Sequence, residues 1–245
     1  MRRRFFVQQF NGNAAVIEGD AAHHLGHVLR AQPGQLYELS DGTSAWLARI
    51  ETVERNRVEF ALIEQLEAPQ PGVETTLLLS IVKFDAFEWA LEKATELGVS
   101  RIVPLAAARS EKGLLAAATK RSQRWQKILL ESSQQSRRLR VPLLDDPVKP
   151  AQAFAAQSAK VRLLLSERSD APSIRKALGR VIDASNANPA TAALAIGPEG
   201  GWTDDELSSA RSCGFQEASL GQLILRTETA VISALSSLNF GLSSG

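Results

Sequence analysis

From residue 74 onward, short apolar runs alternate with stretches of helical periodicity, and that rhythm leaves few architectures open. Residues 76–82, 101–106, 161–165, 192–196 and 218–220 read as buried strands. The stretch between the first two reads as an amphipathic helix. Asp85 is its expected cap, with Glu88 as the other half of a capping box. Phe87, Ala90, Leu91, Ala94 and Leu97 share one face, Glu88, Glu92 and Glu96 point outward, and Gly98 ends it. A long helix is expected over 120–138, with Trp125, Ile128, Leu129 and Ser132 on one side. Strands and helices in alternation give an α/β fold with a mostly parallel sheet covered on both faces. Such a sheet builds its ligand site beyond the carboxyl ends of its strands.

The first seventy residues follow a different period. Residues 5–10 and 14–18 are short strand candidates. Residues 36–39 and 45–53 flank Asp41-Gly42, a strong hairpin signal. In 58–66, Val58, Phe60 and Leu62 alternate with Glu59 and Glu64, the pattern of a half-buried strand. One helix interrupts, capped by Asp20 and running over 21–30 until Pro33-Gly34. The sum is a small barrel-like β domain, 1–72, and an α/β domain, 73–245. The stiff polar stretch Ala68-Pro69-Gln70-Pro71-Gly72 joins them. Residues 185–188 form a polar loop.

No apolar stretch is long enough for a signal peptide or a membrane span, and the single cysteine, Cys213, excludes an internal disulfide. The expectation is a soluble, cytoplasmic protein, with Cys213 a buried apolar residue. Net charge is only +1, but residues 101–140 carry 10 Lys and Arg against 2 acids, net +8. That block can be an anion footprint, but charge alone favours a solvated helix face. His23 and His27 share a helix face at metal-pair spacing, but with no third ligand nearby no metal is expected.

Two loops concentrate the candidate chemistry. Gly197-Pro198-Glu199-Gly200-Gly201 follows a strand and opens a helix, with Thr203 and Glu206 as a capping box. Its glycines permit a close ligand approach, and the same loop is equally a tight strand-to-helix turn. Walker and dinucleotide fingerprints are both absent. The second loop, 220–230, places bulky Leu223, Ile224 and Leu225 after Gly221 and before Arg226, Thr227, Glu228 and Thr229. An apolar loop is costly in water, so it is expected to be buried in a core or against an apolar ligand face. Behind it, Val231, Ala234, Leu235 and Leu238 form a helical stripe for a core or a subunit contact.

These two loops resemble the signature of the SPOUT methyltransferases, specifically the RsmE family, which reads Gly-Pro-Glu-Gly-Gly and then Leu-Gly-x-x-Ile-Leu-Arg-Thr-Glu-Thr-Ala. Further similar motifs follow the family's order: His24-Leu25 with Val28-Leu29-Arg30, residues 93–99, Arg109-Ser110, Arg124-Trp125, and Gln135-Ser136 with Arg138. The resemblance covers nearly the full chain. It implies a PUA-like β-barrel ahead of a SPOUT domain with a carboxyl-terminal trefoil knot, and a homodimer. It also implies methyl transfer from S-adenosylmethionine to N3 of one uridine in 16S ribosomal RNA, free or in the small subunit.

On this resemblance Arg226 stabilises charge on the base, and Glu228, or else Glu199, takes the N3 proton. The main chain of Leu220, Leu223 and Leu225, with Ile224, holds adenine. Gly197 and Gly200, with Leu165, Ile196 and Thr229, hold the rest of the cofactor. Arg3, Arg4, Arg30, Arg109, Arg124 and Arg138 meet RNA. Gln222-Leu223 replaces the family's usual Pro-Arg, and Phe84 a frequent glycine, which removes an arginine contact at the first place and a close backbone approach at the second. Methylation of another RNA or of a ribose 2′-oxygen, and an inactive ribosome-binding module, are the competing readings.

Overall fold

The computed structural model describes residues 3–67, 72–185 and 191–242. The expected linker therefore lies outside the described residues except for Gly72, as does the 185–188 loop beyond Ser185. The chain divides into two compact units, one of 1–70 with 133–141, the other of 71–132 with 142–245.

The first unit contains β1 (Arg4–Phe6), β2 (Ala14–Glu18), α1 (Asp20–His23), a π-helical turn (His24–Val28), β3 (Leu36–Ser40), β4 (Ala45–Glu54) and β5 (Arg57–Leu66). They build one sheet in the order β1-β3-β4-β5-β2, with β1 parallel to β3 and the other pairs antiparallel. The hairpin at Asp41-Gly42 joins β3 to β4. The Asp41 carboxylate accepts the Thr43 and Ser44 amides at 2.8 Å each, and Gly42 takes a φ of 86°. Alternate strand positions, among them Phe5, Ile17, Leu39, Ile50 and Phe60, close over Leu25. The helix is shorter than expected. Gly19, not Asp20, precedes it without a side-chain cap, and it turns π-helical before ending ahead of Arg30.

Residues 133–141 complete this unit. Arg4 is buried and donates Nε and Nη2 to one Glu38 oxygen, at 3.2 and 3.0 Å, and Nη1 to the Arg137 carbonyl at 2.7 Å. The Arg137 guanidinium lies 3.4 Å from the other Glu38 oxygen, and the Ser40 hydroxyl donates to the Leu139 carbonyl at 2.8 Å. A buried guanidinium is tolerable only with partners on several donors, and a segment far along the chain supplies one of them.

The second unit runs β6 (Glu74–Ser80), α2 (Phe84–Glu96), β7 (Arg101–Leu105), α3 (Lys112–Ala118), α4 (Ser122–Gln135), β8 (Leu143–Leu144), α5 (Pro150–Ala155), β9 (Val161–Leu165), α6 (Ile174–Ser185), β10 (Thr191–Ile196), α7 (Asp204–Ser212), β11 (Gln216–Ala218) and α8 (Thr227–Leu242). Its sheet is parallel throughout, ordered β11-β9-β10-β6-β7-β8. Leu77, Leu78 and Leu79 are successive and all fully buried, which shows both faces of β6 covered. In α8, Val231, Ala234, Leu235 and Leu238 are buried as the periodicity predicts, and the helix packs on α2.

Two expectations fail here for tertiary reasons. Lys83 precedes α2 with no side-chain cap, and Glu88 forms no capping box with Asp85. Glu88 is instead buried, one oxygen taking Arg121 Nη1 at 3.1 Å and the other Arg124 Nε at 2.7 Å. Phe84 packs edge-on against Trp125 with the Arg121 guanidinium 4.6 Å from its ring centre. The helix expected over 120–138 is broken: α3 and a 3₁₀ turn at Thr119–Arg121 lead into α4, which stops at Gln135.

Candidate active site

A cavity of about 510 Å³ opens at the carboxyl edge of the parallel sheet, between the loops that follow β9, β10 and β11, with Arg109 reaching in from the loop after β7. The glycine loop leaves β10 at Ile196. Its exit is fixed as the sequence predicts. Thr203 Oγ1 accepts the Glu206 amide at 3.3 Å, and Glu206 Oε2 accepts the Thr203 amide at 2.9 Å, so the capping box starts α7.

Two glycines of this loop are needed for packing inside the protein. A Cβ on Gly197 would lie 3.1 Å from the Trp202 ring, and one on Gly200 would lie 3.1 Å from Arg109 Cβ. Trp202 turns its ring under the loop and donates Nε1 to the Leu165 carbonyl at 2.9 Å, tying β10 to the end of β9. Arg109 Nη1 donates to the Gly200 carbonyl at 2.7 Å. Thr227, at the start of α8, directs its hydroxyl to the Gly197 carbonyl at 3.4 Å. The loop is thus held from the ends of β7 and β9 and from α8. Trp202 and Glu206 were not among the expected site residues. An indole placed directly after two glycines was the available signal for the first.

Of the residues expected to hold a cofactor, Leu165, Ile196, Gly197, Gly200, Leu220, Leu223, Ile224 and Leu225 line this cavity, and Thr229 does not. Leu223 and Ile224 remain 83% and 79% exposed, so the expected burial of that run is not met within this chain. Arg226 and Glu199 line the cavity, while Glu228 sits on the first turn of α8 outside its wall. Arg226 is exposed and has no ion-pair partner among the described residues. Glu167 and Arg168, after β9, also line the wall. Arg168 Nε donates to Asp170 at 3.2 Å, and that hydrogen bond holds its guanidinium above the usual value.

The basic residues separate by environment. Arg3 and Arg30 are exposed. Arg4 is buried in its ion pair, and Arg124 is exposed but bonded to Glu88. Burial lowers the Arg138 guanidinium to about 10, still protonated at neutral pH. Cys213 is only partly buried, at the end of α7. His23 and His27 stack at 4.5 Å, and among the described residues no group of three His, Cys, Asp or Glu could hold a metal ion. No helix among them is long and apolar enough to cross a membrane.

A larger cavity, about 630 Å³, lies at the amino ends of the strands beside Glu74, Arg101, Asp145 and Thr191. Its guanidinium is committed, Arg101 Nε donating to Asp145 at 2.9 Å. It also lies away from the strand-end loops where parallel sheets place their ligands. The smaller cavity is the better candidate.

The sequence matches an RNA methyltransferase domain over residues 69–239 and an RNA methyltransferase PUA domain over residues 17–63. A ribosomal RNA small subunit methyltransferase E of Synechocystis sp. is 36% identical over 222 residues, which are 89% of this chain and 70% of that protein. The enzyme of that name from Mesomycoplasma hyopneumoniae is 31% identical, over 94% of this chain and 95% of its own. This chain belongs to the ribosomal RNA small subunit methyltransferase E family. The Neisseria gonorrhoeae member, solved bound to S-adenosyl methionine, superposes with a TM-score of 0.84 at 28% identity, covering 98% of both chains. A Legionella pneumophila methyltransferase solved with the bound cofactor SAM gives 0.83 at 30% identity and the same coverage. The five-stranded unit is the family's PUA-like domain, and the all-parallel unit carries its methyltransferase fold.

Proposed function

We propose that this protein transfers the methyl group of S-adenosylmethionine to N3 of one uridine in 16S ribosomal RNA. The observation that carries the reading is the carboxyl-edge cavity itself, a space between two glycine loops lined by Arg226, which has no ion-pair partner among the described residues. The lining suits the cofactor. Leu165, Ile196, Leu220 and Leu225 give apolar surface for an adenine ring, and Gln222 stands exposed beside them with main chain for its polar edge. When bound, S-adenosylmethionine supplies a methyl group already activated on a cationic sulfur.

The chain's own residues then have three tasks. Leu220, Leu223, Ile224 and Leu225 hold the adenine, while Gly197, Gly200 and Leu165 hold the ribose and methionine parts. Arg226 faces the uracil oxygens and stabilises the negative charge that develops when N3 loses its proton. Glu228, or Glu199 on the cavity wall, accepts that proton. Exposed Arg3 and Arg30 on the PUA-like unit, with Arg124 and Arg138, meet RNA phosphates.

The reading includes a cytoplasmic location and a homodimer, the latter supported by Phe240 on α8 and Trp89 on α2, which stand 92% and 42% exposed on two mutually packed helices. It includes a carboxyl-terminal trefoil thread, supported by the lacing of the loop after β11 to the loop after β9. There Ser219 donates its amide to the Pro172 carbonyl and Ile174 its amide to the Ser219 carbonyl, both at 2.8 Å. Single-molecule stretching of this unit would show a contour shortened by a tightened knot, and a full-length contour would dismiss the thread.

The deciding experiment incubates the purified protein and labelled cofactor with ribosomal RNA, and separately with small subunits, from cells lacking the modification. The product nucleoside is then mapped by mass. N3-methyluridine at one site is the expected result. Methyl on a ribose oxygen would overturn the N3 assignment. Absence of both transfer and cofactor binding would make the protein a ribosome-binding module.

A further inference from the structure

We infer that Arg109 and Glu206 form a clamp that sets the shape of the glycine loop, and that Arg109 acts through this loop on cofactor affinity rather than on RNA. The inference rests on the cofactor reading of the cavity. The loop after β7 and the loop after β10 come from strands that are not neighbours, since β6 lies between them. No sheet hydrogen bond therefore fixes one loop against the other. Two side chains supply that tie, and they point in opposite directions across it.

Glu206 reaches from α7 back to the loop after β7. Its Oε1 accepts the Ala108 amide at 2.8 Å, while its Oε2 accepts the Thr203 amide and hydroxyl at 2.9 and 3.1 Å. One carboxylate thus starts α7 and fixes the residue just before Arg109. Arg109 reaches the other way. Its aliphatic stem lies along Gly200, near enough that a Cβ there would be 3.1 Å from Arg109 Cβ and 3.4 Å from Cδ, and its Nη1 bonds the Gly200 carbonyl at 2.7 Å. Gly200, Arg109 and Leu207 are all part of the cavity lining. The Gly200–Gly201 peptide is held at both ends, its amide donating to the Pro198 carbonyl at 2.8 Å and its carbonyl accepting from Arg109 at 2.7 Å, so Arg109 shares in setting which backbone group faces the cavity.

This gives Arg109 Nη1 an occupation inside the protein, although the side chain is exposed. It also explains the glycine at position 200, where a side chain would displace the arginine stem. Arg109 and Glu206 are positioning residues in this account, because each acts on the cofactor through the loop.

The test measures S-adenosylmethionine dissociation constants by calorimetry, together with the KM for RNA and the melting temperature, in five proteins: wild type, Arg109→Ala, Glu206→Ala, the double variant and Thr203→Ala. Losing one side of the clamp should weaken cofactor binding about fivefold, the effect of one ordinary hydrogen bond. The RNA KM and its salt dependence should stay unchanged. The double variant should be little worse than the worse single one, because both remove the same constraint. Thr203→Ala damages the α7 cap but leaves the Ala108 bond, so it should lower the melting temperature without weakening the cofactor. Three results would overturn the clamp. One is an Arg109→Ala protein with normal cofactor affinity and a raised RNA KM of reduced salt slope. Another is strict additivity, and the third is an affinity loss in Thr203→Ala equal to that in Glu206→Ala. A wild-type protein that binds no cofactor would instead refute the proposed function.

Discussion

Replacing Glu38 with alanine should be among the most damaging single changes in the first unit. Its carboxylate is nearly inaccessible, with side-chain exposure of 9% against 5% for Arg4. It accepts both Arg4 Nε and Nη2 and neighbours Arg137 Nη1. Removal leaves the Arg4 cation buried and without a carboxylate, its Nη1 still donating to the Arg137 carbonyl. Stranding one member of a buried pair costs about 3–5 kcal/mol. For a unit of this size each kcal/mol is worth roughly 4–8 °C, so a loss of more than about 10 °C in its melting transition is expected. The informative control is the double replacement Arg4→Met with Glu38→Leu, which removes both charges while keeping volume. It should recover most of the loss, because well-packed apolar residues commonly match a buried ion pair. Circular dichroism melts and urea titrations of the three proteins decide the matter. A Glu38→Ala cost under about 1 kcal/mol, or a double variant as unstable as the single, would refute this account.

Three other outcomes are expected. Arg226→Ala should lower the methylation rate by about 100-fold while leaving cofactor affinity nearly intact, as measured by single-turnover transfer beside calorimetry; unchanged turnover would remove Arg226 from the chemistry. Phe240→Glu should convert the proposed homodimer to monomer in sedimentation velocity, and an unaltered dimer would place the interface elsewhere. Burial pushes the Asp41 carboxyl up, but the Ser44 and Thr43 amides and hydroxyls outweigh it and hold the group below its usual value. A depressed folded value means that the stabilisation is complete above the unfolded value near ~4 and is lost as pH falls through the lower folded one. An NMR titration that puts the carboxyl at or above its ordinary value would contradict this.

The parallel sheet, the Asp41-Gly42 hairpin and the Thr203–Glu206 capping box were legible because each is written in adjacent residues. A period, a turn dipeptide and a three-residue spacing carry their own physics. Glu88 shows where that stops. Asp85 and Glu88 have the spacing of a capping box, yet Glu88 turns inward to Arg121 and Arg124, partners more than thirty positions away. Arg4 read as a surface cation for the same reason. Nothing near it in sequence announces Glu38. Short α5 and two-residue β8 carry patterns too brief or too masked by Ala and Gln to be read without neighbours. The 220–230 loop was recognisable by its composition, but the exposure of Leu223 and Ile224 was not, because composition says that an apolar loop wants cover without saying whether its own chain provides it.

The pairing of β6 with β10 also has a consequence in time. Glu74 meets Thr191 and Leu79 meets Ile196, so one edge of β6 has no partner until nearly half the chain has been added. At roughly 5–20 residues per second that interval lasts on the order of ten seconds during synthesis. Throughout it the edge beside Leu77, Leu78 and Leu79 is open to mispairing, the hazard of any long-range parallel strand pair. The glycine loop, the 220–227 loop and α8 all emerge later still. A nascent chain of this protein therefore completes its PUA-like sheet early and its cavity among the last of its parts, and the yield of active enzyme is decided by how well β6 is sheltered while it waits.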